Sequence, residues 1–517
     1  MPKNRARRRI GALLMGTVSL LLVLCTAPPA AGQVLYGSLT GYITDPSGAP
    51  IPGAKVEALN SGTGIVQTAS TDQAGLYSFT TLQPGRYNVT VSAPNFSTMT
   101  EAGAIVNVNA VMRLNIQLNV AHVIESVTVS GSAELMQTDR SDVHADLATK
   151  PVTDLPIAGS VGRNFEALFK LVPGIQPPAE QNSVAGNPER SMSFNVNGVS
   201  RVNNNVRLDG APDIYGWLPY LMAYIPPEEA IQEVNVVTNS FQAEQGTAGG
   251  SAVNVIVRSG SNQFHGAAWE YNTNTDFNAR SFFFNPKIIL PKDILNQFGA
   301  RMGGPIRRNK LFFFADWERT MQREFISGFG TLPTAALEAG DFTGTTTTIY
   351  DPTTGNADGT GRTSFASETG VNKIPNNLID PVVAHYISLL PSPNLPGTVT
   401  NGIISNNYFG AASYGYNRDN ADGKLDYQID QKDRIFYRYS ISKGTVTDPF
   451  QLGAADGGTW DGGQPGAGFV TVTNMGFGGT HTFSPTMLID GNAGYDRQHL
   501  GAAAPDVNTI FGTNGTP

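Results

Sequence analysis

Between Leu311 and Glu318 the chain alternates by parity. Leu311, Phe313, Ala315 and Trp317 form one wholly apolar face, and Phe312, Phe314, Asp316 and Glu318 form another that turns acidic at one end. A two-residue period belongs to an extended strand, whose side chains leave on opposite sides. The same alternation returns downstream. In KLDYQID, Leu425, Tyr427 and Ile429 oppose Lys424, Asp426, Gln428 and Asp430. After a tight turn at Gln431 to Asp433, Ile435, Tyr437, Tyr439 and Ile441 oppose Arg434, Phe436, Arg438, Ser440 and Ser442. Met487, Ile489, Ala493 and Tyr495 oppose Leu488, Asp490, Asn492 and Asp496, and Ala267, Trp269 and Tyr271 oppose Ala268 and Glu270. Aromatics on one face and small polar residues on the other, over lengths near the ~9–11 residues that cross a bilayer, predict a transmembrane antiparallel β-barrel with a wet lumen. About seven such strands are expected from Asn262 onward. A water-soluble sandwich or propeller is the competing reading. The stretch from about Ile326 to Tyr416, rich in Gly, Thr, Asn and Pro, argues against it, because compact soluble domains rarely hold such loops and membrane barrels do. Leu311, Phe313, Ala315 and Trp317 then face lipid, with Trp317 in an interfacial girdle.

Upstream the pattern is different. Short alternating segments are separated by Gly/Pro turns, including Asp45-Pro46-Ser47-Gly48 and Gln83-Pro84-Gly85. Ala54, Val56 and Ala58 share a face, and Met112, Leu114, Ile116 and Leu118 alternate with Val111, Arg113, Asn115 and Gln117. Strands at this spacing predict a small β-sandwich. The segment that follows is mixed. FEALFKLVPGI has a helical spacing at Phe165, Leu168, Phe169 and Val172, stopped by Pro173-Gly174, and EEAIQEVNVVTN reads as a helix-to-strand unit. Its class is α+β, inside a chain that is mainly β.

Composition agrees with this division. The chain has 517 residues, 57 of them Gly, and only 15% charged. Low charge and high Gly suit sheet and loop better than helix. The N-terminus has a basic start at Lys3, Arg5, Arg7, Arg8 and Arg9, an apolar run from Ile10 to Cys25, and small residues at Ala30, Ala31 and Gly32. These features predict a signal peptide over 1–32, with cleavage before Gln33. Losing those five cations takes the net charge from -8 to -13 and removes Cys25, the only cysteine. Disulfides are then excluded, and an acidic chain gives no reason to expect nucleic acid. No other apolar run approaches a spanning helix, so a membrane would be crossed by strands.

Candidate chemistry is sparse, and no enzyme activity, metal site or cofactor is expected. His122-Val123-Ile124-Glu125 spells half of a zinc site, but no third ligand is spaced to complete it. Asp351 and Asp358 lie in a Gly-rich loop without regular calcium-ligand spacing, which favours turn chemistry. GTAGGS at 246–251 lacks the Gly-Lys-Ser/Thr of a phosphate loop. Arg163, Arg207 and Arg258 are candidates for holding the α+β segment to acids of the barrel, with surface positions as the equal alternative.

Gly41, Asp45, Pro52-Gly53-Ala54, Asp72, Gly75, Tyr77, Phe79 and Pro84-Gly85 with Tyr87 resemble a carboxypeptidase regulatory-like domain, a name that implies no peptidase activity. LPIAGSVGRNFEALFKLVPGI, VNNNVRLDGAP, the long run from Ile225 to Tyr271 and FGARMGGPIRRNKLFFFADWE resemble a TonB-dependent outer-membrane transporter of the Oar-like branch. The resemblance implies a signal peptide at 1–32, a regulatory-like sandwich at 33–121, a connector at 122–150, a plug at 151–260 and the first part of the barrel at 261–517. It implies a TonB box at Glu125, Ser126, Val127, Thr128 and Val129, a short extended segment that pairs with TonB by strand addition. The alternative is that this segment is the last strand of the sandwich. Arg207, Asp209 and Gly210 match the plug's central motif. Implied partners are TonB with its inner-membrane energising complex, outer-membrane lipid, the barrel assembly machinery and an imported ligand. Oligosaccharide, peptide and metal chelate all remain open as ligand classes. The location implied is the outer membrane, with sandwich and connector in the periplasm. A non-transporting adhesin or surface assembly protein is the alternative function. Such transporter barrels have 22 strands, so about seven strands lead to the expectation that the chain is a fragment.

Overall fold

The structure is a computed structural model that describes residues 35–120, 127–130, 142–155, 162–180, 187–241, 245–246, 248–279, 292–400, 402–455, 466–484 and 487–503. The expected signal peptide lies outside these residues. No helix among the described residues is long and apolar enough to cross a membrane.

The first unit is built from Gly37–Thr44 (β1), Lys55–Asn60 (β2), Val66–Ser70 (β3), Leu76–Leu82 (β4), Gly85–Ser92 (β5), Met99–Val106 (β6), Val111–Arg113 (β7), Ile116–Gln117 (β8) and Val127–Ser130 (β9). One sheet runs β4-β1-β7, with β8 also on β1, and the other runs β3-β2-β5-β6-β9. Their inner faces interdigitate through Leu39, Ile43, Val56, Tyr77, Phe79, Val89, Val91, Ile116 and Leu118. The predicted turns form for local reasons. Asp45 Oδ1 accepts hydrogen bonds from the backbone N–H groups of Ser47 (2.8 Å) and Ala49 (2.9 Å), the self-capping that makes Asp a turn residue.

The central unit contains Val143–Ala148 (β10), Ala179–Glu180 (β11), Met192–Ser193 (β12), Asn205–Leu208 (β13), Ala211–Pro212 (β14), Ile231–Asn239 (β15) and Ala252–Val257 (β16). Its main sheet runs β10-β15-β16-β13-β14. The helical spacing at Phe165 is realised as a 3₁₀ segment, Phe165–Leu171, capped by the Asn164 side chain. β15 and β16 carry Val and Ile on both faces and are almost wholly buried.

The third unit is one antiparallel sheet in chain order: His265–Asn274 (β17), Asp293–Arg307 (β18), Leu311–Gly330 (β19), Tyr408–Gln428 (β22), Asp433–Asp448 (β23), Gly466–Ser484 (β24) and Met487–Ala503 (β25). The small hairpin Thr398–Thr400 (β20) and Ile403–Ser405 (β21) lies within the connection from β19 to β22. The seven strands do not close on themselves, and β17 and β25 are the sheet's edges among the described residues.

The predicted faces are present in β19, β22 and β23. Phe312, Phe314, Asp316, Glu318, Lys424, Asp426, Phe436 and Arg438 are buried, while Trp317, Leu425, Tyr427 and Tyr437 are exposed on the other side. Two expectations are corrected. The strands are longer than a bilayer requires, up to 21 residues in β22, so the long connection shrinks to 331–407 and contains, among the described residues, three short α-helices and one 3₁₀ turn. The parity of β17 is also inverted. Trp269 Nε1 donates to Glu318 Oε2 at 3.1 Å and Tyr271 lies under Arg163, so both rings face inward and Glu270 faces out. Gly299 makes room for this, because a Cβ there would lie 2.5 Å from the Trp269 ring.

The sandwich docks at the end of the sheet that carries the short turns. Asn262 bonds to Gly62, Thr63 and Asn309. Glu233 accepts from Val108 N with both oxygens (3.1 and 3.2 Å), and Gln232 Nε2 donates to Pro84 O at 3.1 Å.

Candidate functional site

The site is the seat of the central unit on the inner face of the long strands. It begins with a two-residue hairpin turn. Asp209 and Gly210 join β13 to β14, with Leu208 paired to Ala211, and both have positive φ, 46° and 78°. A turn of this hand requires positive φ at both positions, which Asp tolerates and Gly adopts freely. The turn aims the buried Asp209 carboxylate at the sheet. Its Oδ1 accepts from Lys424 Nζ at 2.9 Å and from Val257 N at 3.2 Å, and its Oδ2 forms an ion pair with Arg438 Nε at 3.0 Å. Lys424 Nζ also donates to Val257 O at 2.8 Å, and Arg438, which has no exposed surface, donates to Asn474 Oδ1 at 2.6 Å. One acid of the central unit thus sits between two cations from neighbouring strands, β22 and β23.

A second layer surrounds this clamp. Tyr224 O–H donates to Asp422 Oδ2 at 2.7 Å, while its backbone N–H donates to Asp213 Oδ1 at 3.0 Å. Asn420 Nδ2 donates to Ile225 O (2.8 Å), Tyr416 O–H to Pro188 O (2.9 Å), and Arg418 Nη1 to Glu189 O (2.7 Å). Ser442 O–H donates to Glu189 Oε1 at 2.8 Å. The apolar part of the seat is smaller. Phe314, Val470 and Val472 of the strands join the core of the central unit.

Arg163 does not hold a strand acid. Arg163 Nε pairs with Glu228 Oε2 of the central unit itself at 2.7 Å, and its guanidinium stacks 4.5 Å from the Tyr271 ring centre. Strand cations hold central acids instead: Lys424 and Arg438 on Asp209, and Arg301 on Glu229 at 3.0 Å. The inner-face parity of β18, β22 and β23 puts those cations where the acids arrive. Arg207 stands opposite Pro212 on β13, and the ion pairs at Asp209 are made by Lys424 and Arg438 rather than by it. Asp209 and Gly210 of the motif form the turn that enters the seat.

Burial sets the acidities in the central unit. Burial pushes the Glu228 carboxyl up to about 8, outweighing the neighbouring Arg163. It pushes Glu166 up to about 7 despite hydrogen bonds from Met192 N, Asn164 and Ser191. Asp213 is raised well above the usual carboxylate range by burial and then by the nearby Asp496. Removing a carboxylate from water disfavours its charged form.

Lys424 and Arg438 are visible in the sequence only as members of a polar strand face, and Tyr224 carries no signal there at all. Glu125 and Ser126 of the TonB-box-like segment, and the His122–Glu125 pair, lie outside the described residues. Val127, Thr128 and Val129 fall in β9, which pairs in parallel with Met99–Ala102 at the edge of the sandwich. Among the described residues no group of His, Cys, Asp and Glu is arranged to hold a metal. Asp351 and Asp358 each accept from the backbone N–H two residues on, Thr353 and Thr360, as turn residues do.

An antiparallel sheet with an apolar outer face, whose polar inner face is occupied by a separate folded unit, has the makings of a plugged membrane barrel. The model described as "Outer membrane beta barrel domain" matches residues 256–517, just over half the chain, and the chain belongs to that family. The protein is accordingly placed in the outer membrane. A second model, "Carboxypeptidase regulatory-like domain", matches residues 38–119. The chain is 26% identical over 318 residues to the TonB-dependent transporter Oar of Myxococcus xanthus, a match covering 58% of this chain and 29% of that protein. It therefore spans less than a third of its curated relative. Among solved structures it is similar to the ferric enterobactin receptor PfeA of Pseudomonas aeruginosa (12% identity, TM-score 0.38, 72% of this chain and 43% of that one). It is also similar to the outer membrane transporter YddB of Escherichia coli (9% identity, TM-score 0.40, 68% and 38%).

Proposed function

We propose that the protein is a TonB-dependent outer-membrane receptor that imports a ligand using proton-motive energy relayed by TonB. The observation that carries this reading is the buried Asp209–Lys424–Arg438 clamp. A unit meant to stay in place permanently would be better held by apolar packing, since a buried ion pair is weak evidence of stability. A polar seat can separate and reform in a wet lumen, which suits a plug that must shift to open a path. The central unit, with β10 at 143–148 in its sheet, is then the plug, the sandwich and the part of the 122–150 connector before β10 lie in the periplasm, and Glu125–Val129 is the segment that TonB grips by strand addition. The barrel assembly machinery inserts the strands. The kinship with a TonB-dependent transporter supports the reading.

The test is deletion of Glu125–Val129 in cells, followed by co-purification with TonB. The deletion is expected to abolish TonB capture while leaving the protein in the outer membrane. Undiminished capture would sink the energy-coupled reading and leave the adhesin or surface-assembly role as the better one.

A further inference from the structure

Sandwich, central unit and strands meet around a cavity of about 810 Å³ at the short-turn end of the sheet. Cations from all three units line it: Arg86 from the sandwich, Arg258 from the end of the central unit, and Arg301, Lys424 and Arg434 from the strands. Two acids line it as well, Asp209 and Asp426, and both are engaged. Asp209 is held by Lys424 and Arg438, and Asp426 by Arg434 at 3.2 Å. Arg301 is engaged with Glu229.

Arg258 stands apart. Its Nε and Nη2 are closed from solvent and have no hydrogen-bond acceptor among the described residues. Burial lowers the pKa of its guanidinium to about 10, and the neighbouring Arg301 pushes the same way, with Glu229 and Asp316 opposing. A buried guanidinium without a bonded acceptor is costly, and a second guanidinium beside it raises that cost. Arg258 lines the cavity, so a carboxylate or phosphate held against that wall would offset a guanidinium charge whose Nε and Nη2 have no acceptor among the described residues.

We propose that this cavity binds a small oxyanion, a carboxylate or phosphate, with Arg258 as its principal ligand and Arg86 and Arg301 beside it. The site lies opposite the long connections, and its ligand would tie the sandwich to the central unit and the strands. It does not depend on the energy-coupled reading.

The test uses the protein in detergent micelles at low salt, titrated calorimetrically with inorganic phosphate and, separately, with citrate. Saturable binding of at least one probe is expected, and which one binds tells phosphate from carboxylate. Arg258→Met should weaken binding at least tenfold, while Lys443→Met, on the outer face of β23, should leave it unchanged. If Arg258→Met does not fold, Arg86→Met, on the sandwich wall, should weaken binding about threefold. No saturable binding of either probe would overturn the proposal. So would binding that neither arginine substitution alters.

Discussion

The sandwich and the seat of the central unit are held by opposite means. The sandwich core is almost entirely aliphatic and aromatic, with Leu39, Ile43, Val56 and Val89 sealed from solvent between two sheets. The seat on the strands is equally buried but largely polar, with Asp209, Asp213, Lys424, Asp422, Arg438 and Asn474 at its centre. An apolar core gains its stability from water excluded once and for all. A polar seat gains little over the same groups in water and loses much if one partner goes missing. The first arrangement suits a permanent body. The second suits a contact that must be specific when made and separable without exposing grease.

Breaking the seat should have the largest effect. Asp209→Ala leaves Lys424 and Arg438 buried without their acid, and the expected loss is about 3–5 kcal/mol. It should appear as a lower unfolding temperature in detergent and as leakage of large antibiotics into cells. Adding Lys424→Met should recover part of the loss, because one uncompensated charge is removed. A leak-free Asp209→Ala variant of wild-type stability would show that the clamp is incidental.

The matching cut in the sandwich is Ile43→Ala, expected to destabilise that unit by about 2–5 kcal/mol through a cavity in a packed core. Its signature differs: the sandwich becomes susceptible to protease while the antibiotic barrier stays intact. Leakage in this variant would mean that the two regions are not energetically separate.

The smallest effect concerns the joint between them. Burial pushes Glu233 up to about 8, with the nearby Asp146 acting in the same direction and the Val108 N–H opposing. The folded state therefore binds this proton more tightly than the unfolded chain does. Its contribution is complete below the ordinary glutamate range, near 4.5, and is lost as pH rises through about 8. The slope cannot exceed about 1.4 kcal/mol per pH unit. Glu233→Gln, which keeps a neutral side chain, should flatten this part of the dependence of unfolding temperature between pH 5 and pH 8. An unchanged slope would show that Glu233 does not hold the joint.

Much of the architecture was legible because it is periodic. A two-residue alternation in KLDYQID and RIFYRYSIS states which face is wet whatever the strand later meets, and Lys424 and Arg438 do face inward. Turn chemistry is equally local, so Asp45-Pro46-Ser47-Gly48 reads as a turn directly. Hydrophobicity alone places Trp269 and Tyr271 outward, and they point inward because Gly299 and the carboxylates of Glu318 and Glu229 receive them. The long loop is shorter than its composition predicts, for a related reason. Strand pairing continues past the bilayer wherever a neighbour offers hydrogen bonds, and Gly330 pairs with Tyr408 inside the stretch expected to be loop.

Alternation, turn residues and composition thus determined from the chain alone that it is mainly β, that it carries a sandwich, and that one set of strands has a greasy side and a wet one. These are properties of neighbours in sequence, governed by how an extended backbone sends its side chains left and right. Which charge meets which was decided only in three dimensions. Asp209 lies 215 residues from Lys424 along the chain, and a pairing over that distance leaves no period or spacing to read. Arg163 had as much local reason to seek a strand acid as Lys424 had to seek a central one. Tertiary placement reversed the expected polarity of the seat by bringing Glu228 to Arg163 first and by burying Asp209 between two cations.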